Sequence, residues 1–383
     1  MKKMTIPYGR QTVTRDDIEA VVKVLESDYL TQGPLLDDFE NMVAEYHGAK
    51  YGVAFANGTA ALHAAYYASE IDDGDEIITS PITFVSSANG ALFLGARPVF
   101  ADIDMETYCI NPDKIDDKIT SKTKVITPVS LAGYPVDLAA IREVADRHNC
   151  IVIHDAAHAI GSKRNSTFGM EYADMAILSF HPVKHVTTGE GGMVLTNDKN
   201  FCERLKRFRT HGITKNINEM EKCDGPWYYE MQDLGYNYRL SEINIALGIS
   251  QFSRIEQNLR RRNEIAQRYN DAFKNNDNLI TPPGFSFDDH NNIHSYHLYP
   301  LRVKNDNSRR KLYDYLHENG VLAQIHYIPV TSQPYYVETF GTKTEEYPNA
   351  ADYYNTELSI PMYHGMSDEE QEYVIDVINR FEW

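Results

Sequence analysis

From about residue 50 to residue 197 the chain alternates short apolar runs with segments of helical period. The runs are YGVAFA, DEIITS, RPVFADI, KVITPVS, CIVIHDA, ADMAILSF and GMVLT, separated by stretches such as GTAALHAAYYASEI and DLAAIREVADRHN. Continuous apolar strands need cover on both faces, and intervening helices supply it, so the pattern predicts an α/β fold with a mostly parallel sheet between helices. Beyond it, LSEINIALGISQFSRIEQNLRRRNEIAQRYNDAF keeps a helical period for longer than a usual globular helix, which predicts one helix linking two domains. The expected division is a large α/β domain with an N-terminal arm over residues 1–254 and a smaller α+β domain over residues 255–383. Strand-like HLYPLRV and helical NSRRKLYDYLHENG and SDEEQEYVIDVINRF supply the second of these.

Charge narrows the partners. Lys+Arg 37 against Asp+Glu 55 gives a net charge of −18, a field that repels polyanions and argues against nucleic acid and anionic membrane surfaces. A small phosphorylated ligand remains compatible with it. Cys109, Cys150, Cys202 and Cys223 are too far apart in sequence for a paired-cysteine metal or redox motif, so reduced thiols and no metal site are expected. The N-terminal MKKMTIPYGRQTV turns polar at once, and no stretch approaches the ~18 apolar residues of a membrane span. These features predict a cytoplasmic protein.

Ligands of open parallel sheets sit at the carboxyl ends of the strands, and three strand ends carry chemistry. After YGVAFA, Asn57, Gly58 and Thr59 open an Ala-rich helix; they read either as an ordinary N-cap or as a phosphate cradle of backbone N–H groups and a hydroxyl. CIVIHDA ends its strand with Asp155, and His158 follows three residues later; they read as a cap and a buried imidazole, or as a carboxylate for a ring nitrogen and an imidazole against that ring. ADMAILSF carries Ser179 near its end, and Lys184 follows before TTGEGG, whose glycines would let backbone approach a ligand. A lone lysine is usually a solvated charge. Taken in order, however, cradle, carboxylate and lysine meet the needs of pyridoxal 5'-phosphate: a held phosphate, a protonated ring nitrogen and a covalent anchor.

The blocks YLTQGPLLDDFE, ANGTAALHAA, PITFVSSANGALFLGARPVFADID, HDAAHAIGS, SFHPVKHVTTGEGG, DLGYNYRLSEINIALG, HYIPV and LSIPMYHGMSDEEQEYV resemble, in order and over nearly the whole length, the DegT/DnrJ/EryC1/StrS sugar aminotransferases. That resemblance implies the fold-type I architecture of aspartate aminotransferase, a large mostly parallel-sheet domain plus a smaller α+β domain. It implies Lys184 as covalent anchor and proton carrier, Asp155 on the pyridine nitrogen, and Gly58, Thr59 and Ser179 on the phosphate. His158 matches a contact to the cofactor ring, and Phe84 an aromatic stacked on it. Asn237 matches an asparagine that reaches the neighbouring subunit's cofactor phosphate, so a homodimer with shared active sites is implied. SFHPVKHVTTGEGG, THGITK and PWYYEMQDLGYNYRLS are most similar to members that aminate C4 of a UDP-linked 4-keto-6-deoxy-N-acetylhexosamine in pseudaminic acid synthesis. Glutamate is the usual donor there, and pyridoxamine 5'-phosphate links the two half-reactions.

Departures from the family pattern concern the sugar rather than the cofactor. Ser130, Leu131 and Thr331 stand where relatives often carry histidine. A dehydratase subgroup replaces the anchoring lysine by histidine; here Lys184 is present with His185 beside it. By resemblance, Tyr8, Arg10, Thr31, His326 and Tyr327 are candidates for the nucleotide-sugar pocket, although each also reads as ordinary packing or surface. The aromatic WYYEMQDLGYNY is expected at an interface that also touches the active site.

Overall fold

All seven apolar runs become strands of one sheet: β1 (Tyr51–Phe55), β2 (Glu76–Thr79), β3 (Arg97–Phe100), β4 (Thr123–Thr127), β5 (Ile151–Asp155), β6 (Met175–Ser179) and β7 (Gly192–Thr196). The computed structural model describes residues 3–286 and 289–383. Strand order is β1-β7-β6-β5-β4-β2-β3. Neighbours are parallel except at β7, which runs antiparallel to both β6 and β1. Because β7 lies directly beside β6 in the opposite sense, residues 180–191 need no crossover and stay at the carboxyl edge of the parallel strands. That edge also receives the ends of β1 and β5.

Helix α1 (Gly58–Ala68) follows β1 and is buried on nearly every side, as its alanine content allows. Asn57 caps it, its side chain accepting the Ala60 N–H at 2.8 Å. A second core gathers around the antiparallel strands β8 (Leu279–Ile280), β9 (Tyr299–Val303) and β10 (Glu357–Ile360). Ile6 enters this core through a parallel pairing of Ile6–Pro7 with Val321–Leu322. Val330, Tyr336, Tyr347 and Tyr353 turn the other way and pack into the core of the large sheet.

The long helical segment is broken, contrary to the periodicity. It forms α2 (Glu242–Phe252) and α3 (Ile255–Phe273). The Ser250 carbonyl, which would accept the Arg254 N–H in a continuous helix, is taken instead by Ser253 Oγ at 2.7 Å and Arg254 Nη1 at 3.0 Å. The Arg254 N–H falls back on Gln251, and its guanidinium is fixed by buried Asp17 at 2.9 Å. Side-chain competition for backbone carbonyls is invisible to a hydrophobic period. Among the described residues no helix is long and apolar enough to cross a membrane, and all four cysteines are free.

Candidate active site

A cavity of about 290 Å³ opens at the carboxyl edge of the sheet. Asp155, the last residue of β5, forms its floor at 4% exposure. Its Oδ2 accepts the Ser87 hydroxyl at 2.6 Å and its Oδ1 the Ala157 N–H at 3.1 Å, while Thr83 Oγ1 lies 2.8 Å from Ser87 Oγ. Burial pushes the Asp155 carboxyl upward, against the pull of these donors and of Lys184.

Lys184 reaches the same cavity from the loop between β6 and β7, with Nζ 3.3 Å from His297 Nε2. Burial brings its ammonium down to about 7, helped by the charge of Arg262 and resisted by Asp155. An amine that is half neutral near physiological pH can serve both as nucleophile and as base. His185 has a different fate: it is fully buried and its Nε2 meets the Ser295 carbonyl at 2.8 Å, so the histidine beside the lysine does not line the cavity.

Opposite the lysine, the start of α1 offers donors. Asn57 takes the Ala60 and Ala61 N–H groups through its side chain and carbonyl. The N–H groups of Gly58 and Thr59 have no acceptor among the described residues, and both residues line the cavity with Ser179. A Cβ on Gly58 would stand 3.4 Å from Ser179 Oγ, in the gap between the two donor groups. Backbone donors at a helix N-terminus beside hydroxyls suit a phosphate. Two of the glycines of GEGG also answer to the chain's own packing. A Cβ on Gly192 would lie 2.6 Å from the Asn57 carbonyl oxygen, so Gly192 lets β7 pass close to the cradle, and one on Gly191 would lie 2.2 Å from Thr188 Oγ1 in its own loop.

His158 is buried, and its Nδ1 accepts the Ala132 N–H at 3.3 Å. That bond assigns the ring proton to Nε2, which donates to Tyr327 Oη at 3.1 Å. Burial and neighbouring cations keep the ring neutral. Phe84, 55% exposed, stands at the mouth with its ring centroid 6.0 Å from that of Tyr327. Tyr8 packs on His326 at 5.2 Å, and both face the cavity. His326 is itself fixed by buried Glu357, whose Oε2 accepts the His326 N–H at 2.9 Å and whose carboxyl burial pushes up to about 8.

Thus the fold brings Lys184, Asp155, His158, Ser179, Gly58, Thr59, Phe84, Tyr8, His326 and Tyr327 to one cavity. Arg10, Thr31 and Asn237 do not line it. Arg10 lies over the Tyr363 ring at 5.2 Å and 3.7 Å from Glu370; Thr31 is exposed; exposed Asn237 bridges to Thr210. Ser130, Leu131 and Thr331 are buried away from the cavity, Ser130 bonding His154 at 2.8 Å. Sequence reasoning missed Ser87, His297, Arg262 and Glu357. None carries a local signal, since each acts through a partner more than thirty positions away or across elements.

Comparison with known proteins agrees with this geometry. The model of the DegT/DnrJ/EryC1/StrS aminotransferase family matches residues 11–379. The chain is 38% identical over 377 residues to the spore coat polysaccharide biosynthesis protein SpsC of Bacillus subtilis, covering 97% of this chain and 96% of that one. Among solved structures it is similar to Helicobacter pylori PseC, an aminotransferase involved in pseudaminic acid biosynthesis. The TM-score there is 0.91 at 32% identity, over 98% of this chain and 99% of that one. It is also similar to NtdA of Bacillus subtilis, solved with the cofactor PMP bound, at a TM-score of 0.84 and 27% identity over 96% of this chain and 82% of that one. A lysine and a carboxylate at adjacent strand ends, an open helix start facing them, and a family match over all but the chain's extremities lead to one assignment: this chain belongs to the DegT/DnrJ/EryC1/StrS aminotransferase family.

Proposed function

We propose that this protein is a pyridoxal phosphate-dependent aminotransferase that moves an amino group from glutamate to C4 of a UDP-linked 4-keto-6-deoxy-N-acetylhexosamine. The observation that carries the reading is Lys184 Nζ and the Asp155 carboxylate in one cavity with the uncapped N–H groups of Gly58 and Thr59. The residues fit the cofactor: Gly58, Thr59 and Ser179 would hold its phosphate, Asp155 its pyridine nitrogen, and Lys184 its aldehyde carbon. When bound, the pyridine ring supplies an electron sink for breaking the C–H bond at the amino-bearing carbon. PMP, the group bound in NtdA, is the amino-loaded form of the same cofactor.

Each chain residue then has a task. The donors from Ser87 and Ala157 oppose the upward push of burial on Asp155, whose ionised form would keep a proton on the ring nitrogen. Lys184, once freed, would be a base of suitable strength and would carry a proton from the donor's α-carbon to the carbon it had anchored. His158 and Phe84 would flank the ring, and Tyr8, His326 and Tyr327, which line the same cavity, would face the sugar. Tyr327 accepts from His158, which leaves its own O–H free to donate to a substrate oxygen.

Homodimerisation with shared sites belongs to the same reading. Trp227, Met231 and Leu234 are 73%, 62% and 72% exposed, more apolar surface in one segment than a monomer usually leaves to water. In this reading Asn237, which follows directly, would serve the partner's cofactor phosphate, and Arg10 and Thr31 would edge the nucleotide pocket. The likeness to PseC supports a sugar of the pseudaminic type; the UDP linkage and glutamate as donor rest on the sequence resemblance.

The test is turnover of the purified protein with glutamate and a panel of UDP- and dTDP-linked 4-keto sugars, with products read by mass spectrometry and their C4 configuration by NMR. A 4-amino sugar from the UDP-linked N-acetyl substrate, with stoichiometric 2-oxoglutarate, is expected. Amination of dTDP sugars alone would refute the substrate, and a deoxy-keto product would make the protein a dehydratase.

A further inference from the structure

His297 has no assigned task, yet it is the side chain that touches the Lys184 amine. Its Nε2 lies 3.3 Å from Lys184 Nζ, and its Nδ1 is buried with no hydrogen-bond partner among the described residues. The backbone behind the ring is clamped by Arg262, which is fully buried and donates to the carbonyls of Tyr296, His297 and Met362 at 2.9, 3.3 and 3.1 Å. No carboxylate among the described residues pairs with that guanidinium.

The groups facing His297 are cationic or neutral bases: Lys184 and His185 from the β6–β7 loop, His158 from beyond β5, and Arg262 from α3. Together with burial they keep the imidazole neutral. A neutral ring whose Nε2 faces an amine can accept a hydrogen bond from it. The amine's remaining bonds then point away from the ring, towards the open cavity lined by Asp155 and Ser179.

We infer that His297 is a positioning residue for the reaction: its Nε2 lone pair accepts one N–H of Lys184 and turns the rest of the amine towards the cavity, where it would meet the aldehyde carbon it attacks and the donor's α-carbon it deprotonates. This rests on the reading of Lys184 as the covalent anchor. No atom is transferred to His297. Its contribution is orientation, which raises the fraction of amines aimed at the reacting carbon, together with stabilisation of the ammonium that forms when the amine takes up a proton.

The test uses full-length apoprotein and two readouts besides turnover. Acetylation of Lys184 by acetic anhydride, followed by peptide mapping against pH, gives the midpoint for the free amine; the rate of covalent capture of pyridoxal phosphate gives its orientation. In the wild type the midpoint is expected near 7. His297→Leu removes the acceptor, so the midpoint should fall by about one pH unit or more and capture should slow about tenfold or more. His297→Gln, which places a polar group near the Nε2 position, should recover most of both; His297→Asn, too short to reach, should not, and it serves in place of the leucine variant if that one does not fold. A midpoint in the leucine or asparagine variant that is unmoved or raised overturns the inference, as does a glutamine variant no better than these. Reduction of the wild-type holoenzyme separates the two failures: absence of cofactor on Lys184 would refute the anchor itself, whereas a trapped Lys184 with an insensitive midpoint refutes only the role of His297.

Discussion

Replacing Ser87 by alanine removes a single hydroxyl beneath the cavity. That hydroxyl donates to Asp155 Oδ2 at 2.6 Å and is backed by Thr83 at 2.8 Å, so Thr83, Ser87 and Asp155 form a short relay ending on the carboxylate. A hydrogen bond to a charged group contributes about 1.5–3 kcal/mol, and a buried acceptor that loses it has little else to turn to. The loss favours the neutral acid, the direction in which burial already drives Asp155. In the proposed reaction Asp155 must be ionised for the ring nitrogen to stay protonated, so the same energy falls on the proton-transfer step. At 25 °C it corresponds to a glutamate half-reaction slower by about 10- to 100-fold. Stopped-flow absorbance of the cofactor at saturating glutamate measures that rate. Thr83→Val, which leaves the Ser87–Asp155 bond in place, should have a much smaller effect. A Ser87→Ala enzyme with cofactor bound and a wild-type rate would refute the reasoning, and so would full recovery on adding excess cofactor, because the defect would then be one of binding.

Two further outcomes follow from the same structure. Glu357 is protonated in the fold up to about pH 8 but ionises near 4.5 when unfolded, so the wild type loses stability as pH rises between those values and Glu357→Gln does not. Urea unfolding should show similar stabilities at pH 4.5 and an advantage of a few kcal/mol for the variant at pH 8; equal stability at both would contradict the buried neutral carboxyl. Mixing inactive Lys184→Ala and Asn237→Ala subunits should restore about a quarter of wild-type activity, since mixed dimers are half of the population and hold one intact site each. No recovery after verified subunit exchange would rule out a site shared through Asn237.

What could be read in the sequence was whatever local pattern controls. Seven apolar runs became seven strands because burial on both faces demands continuous apolar residues. Lys184, Asp155 and Gly58 were legible because parallel topology places strand ends on one edge. The break between α2 and α3 was not, because it depends on Arg254 finding Asp17 from 237 positions away. Ser87, His297 and Glu357 were hidden for the same reason: each matters through one partner that only the fold supplies. In GEGG the fold adds a demand that the run itself does not reveal: Gly191 and Gly192 stand where a Cβ would clash with the chain's own atoms.

The central claim is that Lys184 holds the cofactor. Borohydride reduction of the purified holoenzyme, followed by proteolysis and peptide mass mapping, tests it most directly. The account predicts the reduced pyridoxyl group on Lys184, and its disappearance when glutamate is added first, because the donor frees the lysine. A modified lysine elsewhere, or labelling of Lys184 that glutamate leaves unchanged, would contradict it.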